Sequence, residues 1–193
     1  MDLIKFSNYI TDNSYFKIST EEFKPFYYEL FGLNEELIEL EELIRDRTNV
    51  EPNIIEEAGD VLYYSMRLCK SLGYEDVITF LNETKNNINH MVSTSDKPDV
   101  FFWRMHKHLG IINGQVKKTI RGKEKDFKDI DLIKSCLEAI IVNLFIFLNM
   151  KGYNINSILD KTIIKVDQKN EKYRKDTKPK KKIKEEEEKK EEL

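Results

Sequence analysis

Leu30, Leu33, Leu37, Leu40 and Ile44 recur every three or four residues, the spacing that lines up one face of an α-helix. The same period returns in segment after segment, and no alternating apolar–polar run is long enough to build a sheet. The expectation is an all-α helical bundle. A short opening helix at roughly 2–12 should be followed by helices at about 20–47, 53–72, 75–91, 99–121, 129–150 and 155–175. Pro52 suits a first helical turn, Gly73 a helix stop, and STSDKP a polar break.

The balance of 40% hydrophobic and 35% charged residues describes a soluble globular protein with a heavily charged skin. Its net charge of −3 hides a segregated end, KDTKPKKKIKEEEEKKEEL, which cannot bury enough apolar surface to offset its ordering entropy and reads as a tail. Within it, KPKKKIK resembles a weak nuclear-localisation or anion-binding patch. Cys69 and Cys136 each lie in an apolar helical pattern, as buried reduced thiols of an intracellular protein would. The opening residues show no basic segment followed by an apolar one, so no signal peptide is expected. The most apolar stretch, CLEAIIVNLFIFLNM, is too short and interrupted for a membrane span. The expected location is cytoplasmic, with a nuclear alternative through the basic patch.

The chain also looks duplicated. FGLNEELIELEELIRDR is similar to LGIINGQVKKTIRGK, allowing a two-residue gap. GDVLYYSMRLCKSLGYEDV is similar to EAIIVNLFIFLNMKGYNIN, with Gly73-Tyr74 falling on Gly152-Tyr153. Two halves, about 1–92 and 97–175, would then pack as a pseudo-dimer ahead of the tail at about 176–193.

Acidic residues break the apolar pattern in a repeated way. Glu36 and Glu39 are three apart on one helix, and Glu57 and Asp60 are three apart on the next. Residues at that spacing are neighbours, and each pair lies at the edge of an apolar seam, the second beside Ile54, Ala58, Val61, Leu62 and Ser65. An antiparallel hairpin would bring all four acids together. Their mutual repulsion would then call for a cation, and hard oxygen ligands that also receive substrate phosphates describe Mg²⁺. Zinc is disfavoured, because His90, His106 and His108 have no ligand spacing with the cysteines. A di-iron site is disfavoured by the lack of Glu-x-x-His pairs. Glu41, Glu42 and Glu56 read as solvated charge, and Trp103 as core. Gly59 would let a neighbouring helix or ligand approach.

Glu36-Leu-Ile-Glu39 followed by Glu57-Ala-Gly-Asp60 resembles the E-x-x-E…E-x-x-D signature of the MazG-like all-α nucleoside triphosphate pyrophosphohydrolases. Asn8-Tyr9, Gly32-Leu33, Leu72-Gly73 and Asn82-Glu-Thr-Lys85 are similar to further elements of that superfamily. The resemblance covers about residues 5–90 and, more weakly, the second copy to about 175. It implies hydrolysis of a (deoxy)nucleoside triphosphate to monophosphate and pyrophosphate, a nucleotide-pool housecleaning activity. It further implies Mg²⁺, with Mn²⁺ as substitute, on Glu36, Glu39, Glu57 and Asp60. Glu35 or Glu36 would serve the attacking water, and Asn82, Lys85, Lys165 and Arg45 the substrate. The expected partner is that triphosphate, with no membrane and no specific nucleic acid, in a pseudo-dimeric monomer or a homodimer.

The second half departs from the pattern. Gly114, Lys117, Cys136 and Ala139 stand where a faithful copy would carry acids, with Glu138 alone nearby. Thr162-Ile-Ile-Lys165 remains, as does a basic run at Lys117, Lys118, Arg121 and Lys123. One active site per chain is expected, metal-bearing in the first half and completed by the second. The rival class is a non-catalytic helical nucleotide-binding or protein-interaction module.

Overall fold

The computed structural model describes residues 25–46, 51–74, 76–91, 97–122 and 127–177. Among these there is no strand, and six helices follow in order: α1 Pro25–Arg45, α2 Glu51–Ser71, α3 Val77–Met91, α4 Pro98–Gly122, α5 Ile130–Met150 and α6 Ile155–Thr177. All six lie where the apolar period puts them. The expected opening helix at 2–12 and the charged end beyond Thr177 lie outside the described residues.

Local chemistry accounts for the ends. Pro98 opens α4 and Pro52 stands in the first turn of α2, positions where a missing N–H costs nothing. Asp129 caps α5, its carboxylate accepting from the Leu132 N–H at 3.0 Å. The helices α2 and α5 stop in the same way. Gly73 and Gly152 take positive φ, 63° and 78°. The Tyr74 N–H donates to the Cys69 carbonyl and the Tyr153 N–H to Leu148, while Gly73 donates to Lys70 and Gly152 to Asn149. This is the bonding of a left-handed glycine helix stop, made twice at matching positions.

Packing runs α1 on α2 and α4 on α5, with α2 against α5 between the pairs. Two further contacts complete the bundle: α6 lies on α2, and α3 lies on α5. The most enclosed element is α5, where Ile133, Leu137, Ile140, Ile141, Leu144, Phe145 and Phe147 are all fully buried. A helix apolar on every side belongs in a core, and no helix among the described residues is long and apolar enough to cross a membrane. Cys69 and Cys136 are buried and unbridged, and burial pushes the Cys69 thiol up to about 12.

Trp103 departs from expectation. It is 63% exposed, with the Lys107 ammonium 5.6 Å from its ring centroid, whereas its neighbours Phe101 and Phe102 are 1% exposed and fill the core. Three successive helical positions point in three directions, and two phenylalanines already occupy the inward arc.

The crossover of α6 onto α2 depends on Gly59. A Cβ there would collide with the Thr162 hydroxyl, which is itself buried and donates to the Ile158 carbonyl at 2.9 Å. Gly59→Ala should therefore lower stability by about 1–3 kcal/mol through overpacking, beyond the roughly 1 kcal/mol that alanine gains in a helix. The double variant Gly59→Ala/Thr162→Ala, which removes the colliding hydroxyl, should recover part of the loss. Urea unfolding of the two variants checks this.

Candidate metal and nucleotide site

Helices α1 and α2 are antiparallel, and their inner faces meet level by level. Leu33, Leu37 and Leu40 of α1 and Ala58, Val61 and Leu62 of α2 are all buried at the seam. Each step of three or four residues up α1 is matched by an equal step down α2. Successive facing levels are therefore Glu39 with Glu57, Glu36 with Asp60, Gly32 with Tyr64, and Glu29 with Arg67.

The first two levels form an acid cluster. Glu36, Glu39 and Glu57 each bring a carboxylate oxygen within 4.8 Å of the others. Burial pushes Glu36 up to about 8, and the neighbouring Asp60, a hydrogen bond to Glu57 and the charges of Glu57 and Glu39 add to the rise. Burial raises Glu57 as well, against its hydrogen bond from Glu36 and the charge of Lys165. A proton shared between two carboxylates is what closely packed acids hold when no cation relieves their repulsion. The donor set fits a hard divalent ion: carboxylate oxygens only, converging from two helices, with neither nitrogen nor sulfur. Glu39 and Glu57, with Glu42, Leu43, Asp46 and Asn53, line an open cleft of about 320 Å³ beside the cluster.

Asp60 is held differently. Its Oδ2 receives the Lys165 ammonium from α6, and the same ammonium meets Glu56 Oε1 at 2.6 Å. Desolvation works to lower the Lys165 pKa, but the hydrogen bonds to Asp60 and Glu56 overcome it and hold it above the ordinary lysine value. Glu56, expected to be plain surface charge, thus anchors a cation. Beside it Lys161, Lys165 and Gln168 line a separate hollow of about 260 Å³.

The other expected substrate residues are placed elsewhere. Lys85, on α3, donates to Asn156 Oδ1 at 2.7 Å in the first turn of α6. Nine residues separate Asn156 from Lys165, about 13.5 Å along the helix. Asn82 lies half-buried one turn before Lys85. The Arg45 guanidinium is exposed and paired with Glu41 at 2.6 Å. Glu35 is exposed, adjacent in sequence to Glu36. Helix packing explains the pattern: α6 lies on α2 and brings Lys165 to Asp60, while Lys85 on α3 is engaged by Asn156 at the far end of α6.

Two further acids do more than the sequence suggests. Glu41 is half-buried and binds His106 Nε2 of α4 at 2.7 Å, a polar tie between α1 and α4. Asn113 and Asn34 make another at 3.1 Å. Glu138 accepts the Tyr74 hydroxyl across the α2–α5 junction.

Glu29 and Arg67 carry no motif signal, yet they form the fourth level of the seam. Arg67 Nε donates to Glu29 Oε1 at 2.6 Å. Glu29 is 3% exposed, and burial raises its carboxyl against the pull of Arg67. The available sequence signal is spacing: Glu29 is two helical turns before Glu36, and Arg67 two turns after Asp60, each on the same face.

No protein-family model, curated protein or solved structure matches this chain.

The raised Glu36 value sets a sign for stability against pH. Its stabilising contribution is complete below the ordinary 4.5 and is lost as pH rises through about 8, since ionisation inside the cluster opposes folding. The thermal midpoint of metal-free protein should fall as pH rises from about 5 to about 8. Glu36→Gln, which cannot ionise, should flatten that decline. Calorimetry in EDTA across this range checks both.

Proposed function

We propose that the chain hydrolyses a (deoxy)nucleoside triphosphate to the monophosphate and pyrophosphate with the help of Mg²⁺. The observation that carries this reading is the convergence of Glu36, Glu39 and Glu57 on one point, with Asp60 beside them and a lysine brought in from the other half. A bound Mg²⁺ would neutralise triphosphate charge and lower the pKa of an attacking water. Glu36, Glu39, Glu57 and Asp60 would hold it, and Mn²⁺ would substitute through the same oxygens.

The remaining steps belong to the chain's own groups. Glu35 or Glu36 orients the water and takes its proton, as a carboxylate within hydrogen-bond reach can. Lys165 exchanges Asp60 for a phosphate oxygen, so that substrate receives a charge-assisted hydrogen bond from α6. The hollow carrying Lys161, Lys165 and Gln168 suits the departing pyrophosphate. Asn82, Lys85 and Arg45 have a weaker claim, because the contacts of Lys85 and Arg45 direct them to Asn156 and Glu41.

The same reading takes the two halves as a pseudo-dimer. Support comes from the paired helices α1–α2 and α4–α5, the identical glycine stops and the reciprocal crossover of α3 and α6. A homodimer would obtain such a crossover from two chains; here the second copy is free to lose its acids and keep its lysine.

A second reading has one observation in its favour. The Lys165 bridge to Asp60 and Glu56 ties α6 to α2, as a non-catalytic nucleotide-binding or interaction module would also require.

Turnover separates the two. Incubation with Mg²⁺ and a panel of ribo- and deoxyribonucleoside triphosphates should release pyrophosphate, and Glu39→Gln should reduce that release to background. Lys165→Gln should lower kcat/KM by roughly 10- to 100-fold, the worth of a hydrogen bond to a charged group. Orthophosphate as product, or turnover indifferent to Glu39→Gln, overturns the enzyme reading. Nucleotide binding without turnover favours the module.

A further inference from the structure

The Glu29–Arg67 pair has no place in the hydrolysis just described, and its geometry is incomplete. Both Arg67 contacts, from Nε and from the terminal nitrogen, go to Glu29 Oε1. Glu29 Oε2 is buried and, among the described residues, has no hydrogen-bond partner. A buried acceptor left unpaired destabilises the fold, more so when it is charged, so such an atom calls for an explanation.

Packing does not supply one. With the halves aligned through Gly32 on Gly110 and Gly73 on Gly152, the positions matching Glu29 and Arg67 are Lys107 and Ile146. Lys107 is exposed, its ammonium over the Trp103 ring, and Ile146 is buried in the core. The α4–α5 pair therefore packs without this ion pair. It is absent from the same half that lacks the four acids.

Position supplies the explanation. Glu29 precedes Glu36 by seven residues on one face of α1, about 10.5 Å along the axis. That matches the reach of a nucleotide from its α-phosphate to the outer edge of its base. The level between is aromatic. Tyr64 lies against Gly32, where any larger residue would displace its ring, and Tyr63 stands edge-on to it with centroids 5.2 Å apart. Burial raises the hydroxyl pKa of both rings. The Arg67 guanidinium also lies 5.9 Å from the Tyr63 ring centroid.

We propose that Glu29 and Arg67 are the base-reading end of the nucleotide site. Glu29 Oε2 accepts a hydrogen bond from an N–H on the edge of the base, and the remaining Arg67 N–H groups donate to the acceptor beside it. The two half-buried tyrosines form the walls and turn aside as the base enters. This assignment rests on the nucleotide-hydrolysis reading and names the part of the substrate that this end of the seam selects. A site built to pair with a donor discriminates strongly against a base that cannot offer one, because the buried acceptor is then left alone.

The test compares the wild-type protein, Glu29→Gln and the double variant Glu29→Leu/Arg67→Leu on triphosphates of adenine, guanine, cytosine and uracil. Mn²⁺ affinity is measured alongside by electron paramagnetic resonance. Wild type should prefer one base, and both variants should change the kcat/KM ratio between best and worst base by at least about tenfold, with Mn²⁺ affinity unaltered. An unchanged ranking, an equal loss on every base, or failure of both variants to fold assigns the pair a structural role and overturns the inference while leaving hydrolysis standing. No turnover of any triphosphate by the wild type, despite Mn²⁺ binding, overturns the hydrolysis reading and this one with it.

Discussion

The burial of Leu33, Leu37 and Leu40 against Ala58, Val61 and Leu62 is the interaction on which the rest depends. Each fully buried leucine contributes about 1.5–3 kcal/mol. That apolar seam fixes α1 and α2 in one antiparallel register and holds Glu36, Glu39, Glu57 and Asp60 together in spite of their charge. The repulsion does not vanish: Glu36 keeps its proton up to about 8 and shares it with Glu57. Packing thus holds ready a charge arrangement that a divalent cation would relieve.

A second constraint acts from the side. Gly59 has no Cβ, which lets α6 lie close enough for Thr162 to pack on it and for Lys165, one turn later, to reach Asp60 and Glu56. A glycine interrupting an apolar helix is locally unfavourable, and here it is compensated by a helix contact. The structural and chemical roles of the EEAGDV segment are therefore inseparable. The same residues that admit α6 also place its Lys165 against the acids.

Much of this was legible in sequence. Helices announce themselves by period, and each end here is marked by a proline, a capping aspartate or a glycine whose chemistry is local. The meeting of Glu36, Glu39 and Glu57 was also legible, because carboxylates at matching seam edges on consecutive helices can meet in a hairpin, whereas the engagement of Asp60 by Lys165 was not. Other features were not. Trp103 and its phenylalanine neighbours are equally apolar, and only the direction of the core separates them. Glu41 reads as one more charge in an acidic run, since its partner His106 is 65 residues distant. Glu29 and Arg67 read as ordinary charges until the register of α1 on α2 sets them face to face.

What the sequence by itself determined is the all-helical class, the positions of the six described helices and the acids carried at the edge of the α1–α2 seam, all consequences of short-range spacing. The tertiary structure decided which distant groups join them. It placed Lys165 rather than Lys85 at the acids, because α6 and not α3 crosses onto α2. It also buried Glu29 with one oxygen unmet among the described residues. Helical period is a property of neighbours in the chain, whereas the choice of partner across the bundle follows from how whole helices fit against one another.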